Sequence, residues 1–82
     1  MKRLRFTDRA EDDYTRLSPK LKAQTDKQLD FLAKDLRHPS LRAKKYDESR
    51  DLWQARISRD YRVYFLIEGD TCVILTIRKH PD

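Results

Sequence analysis

The chain of 82 residues has one cysteine, one glycine, one tryptophan and no long apolar run. With Cys72 alone, neither an internal disulfide nor a multi-cysteine zinc site can form, and nothing resembles a Cys–His dyad. Its strand is largely apolar, so Cys72 reads as a small core filler rather than a reactive thiol. No stretch approaches the roughly 18 apolar residues of a membrane span, and the opening "MKRLRFTDRAEDD" has basic residues without an apolar signal core. A soluble, cytoplasmic protein with no membrane partner is expected. There is no repeat and no low-complexity tract.

Charge is abundant: 40% of residues are charged and 38% hydrophobic, so apolar side chains must be concentrated on few faces. A chain of this length has room for a single domain, residues 1–82, which buries about 60 to 65% of the surface exposed on unfolding. Such a domain is marginally stable unless a partner covers part of it. The excess of 19 Lys and Arg over 14 Asp and Glu gives a net charge of +5, and the isoelectric point near 9.6 suits a polyanionic partner.

Along the chain, "KRLRF" alternates basic and apolar residues and predicts a short edge strand, whose charges oppose edge-to-edge pairing. "TDRAEDDYTRL" predicts a helix capped by Thr7 or Asp8, with acids in its first turns. Ser18 and Pro19 open a second helical segment that Pro39 ends. Within it Leu21, Leu29, Leu32, Ala33 and Leu36, with Thr25 between, form one apolar stripe. This stripe and Trp53 read as core. Residues 41–51 are polar and read as a loop. The period then falls to 2 in "LWQARIS" and "DYRVYFLIE", while "TCVILTIRKH" is nearly continuous in apolar residues and suits a central strand. Gly69 and Asp70 mark the turn before it. The order β-α-α-β-β-β predicts an α+β domain, a helical hairpin packed on one face of a small, twisted, mainly antiparallel sheet.

Successive strand residues face opposite sides. If Trp53, Ala55, Ile57, Val63, Phe65, Ile67, Val73, Leu75 and Ile77 face the helices, then Arg56, Arg62, Tyr64, Arg78 and His80 gather on the other face. The gathering requires hairpin loops of odd length, such as Ser58-Arg59-Asp60, or a bulge. A two-residue Gly69-Asp70 loop alone would set Arg62 opposite Ile77. A face of this composition suits RNA: arginine offers forked donors for phosphate, tyrosine stacks on an unpaired base, and histidine exchanges a proton near neutral pH. Cleavage by the RNA's own 2′-OH needs positive charge at the phosphate, a proton donor for the 5′-oxygen and accurate placement, without a metal or other cofactor. The same arginines also fit a solvated surface paired with Asp51 and Asp60, and periodicity does not separate the two.

The segment "LWQARISRDYRVYFLIEGDTCVILTIRKH" resembles the C-terminal three strands of the RelE/ParE toxin superfamily, through its arginine-bearing strand, the Tyr61-Arg62 pair, the acidic turn and the closing apolar strand with a basic end. The residues before it are similar to that family's first strand and helical hairpin, so the resemblance spans essentially the whole chain. It implies a toxin of a two-gene toxin-antitoxin system, most often an endoribonuclease cutting mRNA in the ribosomal A site. In branches like YoeB and YafQ a histidine ending the last strand is the proposed general acid, which corresponds to His80. The phosphate-stabilising arginine corresponds to Arg62, and a further one on the preceding strand to Arg56. Lys44 and Lys45 fall where the family orients RNA, Arg78 and Lys79 form the basic strand end, Tyr64 offers the stacking ring, and Asp60 matches an aspartate of YafQ-like members or serves as a turn residue.

The family usually has an aromatic residue just beyond the terminal histidine, whereas Pro81 and Asp82 follow His80. Either Tyr64 substitutes for it, or the nuclease is weak or inactive. The resemblance further implies an acidic, partly disordered antitoxin folding across the basic face and the edge strand Lys2 to Phe6, with operator DNA engaged only through that complex. A ParE-like inhibitor of DNA gyrase and a non-toxic RNA-binding module are the alternatives.

Overall fold

A computed structural model of the chain describes residues 1–80. Strand β1 (Arg3–Phe6) leads into helices α1 (Asp8–Thr15) and α2 (Pro19–Lys34), followed by strands β2 (Lys44–Asp47), β3 (Leu52–Arg56), β4 (Tyr61–Glu68) and β5 (Thr71–Lys79). The sheet order is β1-β5-β4-β3-β2. β1 runs parallel to β5 and the other pairs are antiparallel.

Both helices begin where their caps lie. Thr7 Oγ1 accepts from the Ala10 N–H at 3.1 Å, and Ser18 Oγ accepts from the Leu21 N–H at 3.2 Å, each satisfying a donor that the first helical turn leaves free. Pro19 occupies the start of α2, where a missing N–H costs nothing. The helix stops at Lys34, well before Pro39. Asp35 turns extended, and its carboxylate accepts from the Arg37 N–H at 3.0 Å, a local bond that competes with further helix. Pro39 instead opens a short 3-10 turn, Pro39–Leu41, that buries Leu41 completely.

The helices pack on one face of the sheet, as the apolar stripe predicts. Ala10, Leu17, Leu29 and Leu32 meet Ala55, Ile57, Val63, Phe65, Cys72, Ile74 and Ile77 in one core. Each large side chain buried there contributes about 1.5–3 kcal/mol. Trp53 stacks on Phe65 with ring centroids 6.3 Å apart and is partly buried. Cys72 is fully buried, and desolvation raises its thiol pKa, in keeping with a filler. Thr25 is also fully buried, and its hydroxyl has no hydrogen-bond partner among the described residues.

Two expectations are corrected. The segment expected to be a loop contains β2, a strand that pairs only with β3 and presents exposed lysines. An edge strand with a solvated face needs no alternating apolar residues, so periodicity misses it. The second correction concerns β5. Glu68 pairs with Thr71 across the Gly69-Asp70 turn, where Gly69 has φ +61°, a conformation that side chains disfavour. On that register Phe65 faces Ile74, yet Tyr64 faces Thr76, leaving Leu75 as the extra residue of a bulge. Cys72 and Ile74, not Val73 and Leu75, therefore belong to the helix-side core. Val73 pairs with Leu66 and Arg5 instead.

Candidate nucleic-acid interface

The bulge sets the geometry of the site. Beyond it Val63 pairs with Ile77 and Arg62 with Arg78, so even-numbered residues meet even-numbered ones. The β3–β4 connection does the same, because the Ser58-Arg59-Asp60 loop puts Arg56 opposite Arg62. Arg56, Arg62 and Arg78 thus stand in one row across three strands on the face opposite the helices.

Like charges directly opposite one another destabilise a sheet, and the row is held by other means. Arg62 Nη1 donates to the carbonyls of Ser58 at 2.8 Å, Tyr61 at 2.9 Å and Arg59 at 3.3 Å. The guanidinium ties the loop together, while its Nε and Nη2 groups have no partner among the described residues. Asp51 pairs with Lys45 at 2.9 Å, and Asp47 lies 3.6 Å from Arg50. Neither Asp51 nor Asp60 neutralises an arginine of the row, and among the described residues Arg42, Lys44, Arg56, Arg62 and Arg78 form no ion pair. Among the described residues the face is therefore a cationic surface without a paired acid.

The next row consists of Lys44, Gln54, Tyr64 and Thr76. Tyr64 meets Tyr46 edge to face at 5.4 Å, and the Arg78 guanidinium lies 5.8 Å from the Tyr64 ring. A cleft of about 230 Å³ is lined by Arg42, Lys44, Gln54, Arg56 and Arg62. Two of these contributors escape sequence reasoning: Arg42 and Tyr46 sit in the segment taken for a loop. Arg42 is a left-handed residue before β2 and Tyr46 falls at the register shift between Lys45 and Asp47, so neither carries a period-2 signal.

The remaining candidates divide. The His80 N–H donates to the Asp60 carbonyl at 2.6 Å, extending the ladder by one residue and fixing the end of β5 beside the β3–β4 loop. Alternation places His80 on the face of Arg78. Asp60 is exposed, and its carboxylate has no ion-pair partner among the described residues. Lys45 is not brought to the cluster. It pairs in register with Trp53, its Nζ lies 6.0 Å from that ring, and its bond to Asp51 raises its pKa. Lys79 shares a row with Tyr61, which packs on the helix-side core, and so also leaves the arginine face. Pro81 and Asp82, which stand where the family has its aromatic residue, lie outside the described residues. Among the described residues no group of three or more His, Cys, Asp or Glu is placed to hold a metal ion, and no helix is long and apolar enough to cross a membrane.

A helical hairpin on one side of a five-stranded mixed sheet is the fold of the RelE-like toxins. A chain of the archaeal RelE-RelB complex from Pyrococcus horikoshii superimposes with a TM-score of 0.80 at 18% identity, over 95% of this chain and 93% of that one. The YoeB/ParE toxin from Agrobacterium tumefaciens gives 0.79 at 17% identity, over 99% and 100%, and YafQ from E. coli gives 0.79 at 9%, over 98% and 94%. The sequence profile described as "ParE toxin of type II toxin-antitoxin system, parDE" matches residues 4–82, and the chain belongs to that family. It is thus a type II toxin of the RelE/ParE superfamily. A search of curated proteins finds no match.

Proposed function

We propose that this toxin is a metal-independent endoribonuclease that cleaves mRNA in the ribosomal A site and so stops translation. The observation that carries the reading is the row Arg56–Arg62–Arg78, without a paired acid among the described residues, set beside paired tyrosines and ending in His80. Arg62, oriented by three loop carbonyls, presents its remaining N–H groups to the scissile phosphate, and Arg56 reaches it from the neighbouring strand. The substrate 2′-oxygen attacks phosphorus and gives up its proton to solvent. His80 donates a proton to the departing 5′-oxygen, leaving a 2′,3′-cyclic phosphate and a 5′-hydroxyl. The arginines stabilise the charge that accumulates on the phosphoryl oxygens between these events. Tyr64, braced by Tyr46 and Arg78, stacks on a base, and Lys44 steadies the strand. No side chain is placed in the role of general base, which suits a reaction whose alignment is completed by the ribosome.

Primer extension on an mRNA carried by programmed ribosomes tests this reading, with His80→Ala in parallel. New 5′ ends at the A-site codon should fall by about 10²- to 10⁴-fold in the variant. Equal cutting by both proteins removes His80 from the mechanism, and no cutting by either sinks the nuclease. The family match itself favours one second reading, a non-catalytic gyrase inhibitor like ParE. Inhibition of DNA supercoiling by intact toxin, with ribosome-bound mRNA left uncut, would select it.

The partner that fits is an acidic antitoxin, as in the neighbours described as the E. coli RelBE toxin-antitoxin complex and the YoeB-YefM complex from Staphylococcus aureus. β1 leaves one edge of the sheet unpaired, and beside it lies an open apolar groove of about 690 Å³ lined by Leu4, Phe6, Tyr14 and Leu29, among others. A segment that orders on binding gains affinity there by strand addition and apolar burial. Operator DNA is engaged only through that complex, and both act in the cytoplasm.

A further inference from the structure

A second groove adjoins the cationic cleft. It has a volume of about 470 Å³, lies between α2 and the β3–β4 loop, and is lined by Gln24, Lys27, Ser40, Arg42, Arg56 and Arg59, among others. Arg42 and Arg56 line both spaces. Cations therefore continue from Arg62 through Arg56 and Arg42 to Arg59 and Lys27, and among the described residues no carboxylate lines either space. Among the described residues none of these five forms an ion pair.

The walls of this groove are fixed from behind. Gln28, only 7% exposed, donates through Nε2 to the carbonyls of Ser40 at 3.0 Å and Arg56 at 2.8 Å, while its Oε1 accepts from Ser40 Oγ at 3.3 Å. One buried amide thus clamps the 3-10 turn to the end of β3. Arg42 follows that turn directly, in a left-handed conformation with φ 46° and its N–H bonded to the Pro39 carbonyl. The backbones that carry Arg42 and Arg56 are set before any ligand arrives, which lowers the ordering cost of binding.

We propose that this groove is a second phosphate subsite, which carries the RNA strand away from the arginine row, across Arg42 and Arg56, onto Lys27 and Arg59. The proposal rests on the reading of the chain as an RNA-cleaving toxin and extends it to the path of the substrate. The occupant is a phosphate backbone rather than an acidic peptide because of what the groove lacks. Its apolar lining is limited to Pro39 and the buried Ile57, too little for a segment that must bury apolar residues to offset its ordering. A polyanion held through counterion release needs only the charges.

The test uses the full-length protein and single-stranded RNA made uncleavable by 2′-O-methylation, with affinity read by fluorescence anisotropy across a salt series. Lys27 and Arg59 are exposed, so the double substitution Lys27→Gln with Arg59→Gln should leave the fold intact, which the melting temperature checks. For an oligonucleotide of about 15 residues, the log–log salt slope should fall by about 1.4, or about 0.7 per lost contact, equivalent to about 25-fold weaker binding at about 0.1 M salt. An oligonucleotide of about four residues, confined to the first, arginine-lined cleft, should bind both proteins equally, whereas Arg62→Gln should weaken both lengths. Unchanged affinity and slope for the long RNA, with Arg62→Gln still weakening it, overturns the subsite and leaves the nuclease reading standing. Failure of the unsubstituted protein to bind either RNA overturns that reading itself. Loss of binding to an acidic antitoxin peptide, with RNA binding intact, overturns the subsite and assigns the groove to a protein.

Discussion

Arg62→Ala should lower stability as well as chemistry, because the same guanidinium faces the proposed substrate and holds the β3–β4 loop. Its Nη1 serves three carbonyls, at 2.8, 2.9 and 3.3 Å. Hydrogen bonds to a charged group contribute about 1.5–3 kcal/mol each in well-formed, buried cases, but here one nitrogen is shared among three acceptors in a half-buried setting, so the set is worth about 1–2 kcal/mol. Relief of the like-charge opposition with Arg56 and Arg78 returns a few tenths of that. A net loss of about 1 kcal/mol lowers the melting temperature of an 82-residue domain by about 4–8 °C, and with an m-value near 1 kcal/mol/M moves the urea midpoint by about 1 M. Arg62→Lys keeps the charge and three N–H donors, but its shorter side chain does not carry them to the position of Nη1, and it should lose nearly as much. Measured well below the melting point, cleavage should drop by about 10²- to 10³-fold for alanine, as for loss of one preorganised donor to a developing anion. A melting temperature unchanged in both variants would refute the clamp. Unchanged cleavage would refute the phosphate role whatever happens to the loop.

Three other outcomes are expected. Thr25→Val removes the buried hydroxyl that lacks a partner and should stabilise the domain by about 1 kcal/mol; a lower urea midpoint would mean that the hydroxyl is satisfied after all. Deleting Leu75 should leave a folded protein with the Arg62–Arg78 pairing intact, because the partners on either side of the bulge then become a regular ladder. Cross-strand NOEs decide the point, and contacts between Arg62 and Ile77 instead would show the register to be set elsewhere. Asp47 accepts from the Ser49 hydroxyl and N–H, which together with Arg50 hold its carboxyl pKa below the usual 3.8. A carboxylate whose folded pKa is depressed contributes stability above the ordinary value and loses it as pH falls through the depressed one. The titration midpoint read from the Ser49 amide should therefore lie below 3.8, and Asp47→Asn should abolish the transition.

Most of the fold was legible in the sequence because its signals are local. Thr7, Ser18 and Pro19 announce helix starts by chemistry that needs no tertiary contact, and the period-2 runs around Trp53 and Val63 fix which side of β3 and β4 is buried. β5 carries no such signal: from Cys72 to Leu75 every residue is apolar, so a bulge at Leu75 changes the face of its neighbours without leaving a polar residue inside. The arginine row depended on that hidden bulge and could be foreseen only as one of two registers. Lys45 is implied by the family resemblance and Lys79 by the basic end of the last strand. The parity rule that gathers Arg56 and Arg62 sends both of them to the opposite face, as their pairing with Trp53 and Tyr61 shows. Tyr46 was missed because an edge strand with exposed side chains gives periodicity nothing to detect, and Arg42 because it lies in no strand but in the left-handed residue that follows the 3-10 turn.

The strand order limits how an antitoxin can silence this face. β1 is the free edge nearest β5, and the apolar groove formed by Leu4, Phe6, Tyr14 and Leu29 lies beside it, so both features that favour an ordering segment sit at one side of the sheet. From that edge the chain must cross β5 to reach Arg62 on β4. From a strand added outside β1 the crossing spans three spacings of about 4.8 Å, and Arg78 lies four residues beyond Ile74, the last β5 residue that β1 pairs with, so an extended chain at about 3.3 Å per residue needs about six residues. A short acidic stretch following the anchored part would suffice to place a carboxylate beside Arg78 and Arg62, both of which lack an acid partner among the described residues. Inhibition would then require no change in the toxin's shape. It would follow from competition for the same guanidinium groups, with the apolar groove supplying affinity and the acids supplying blockade.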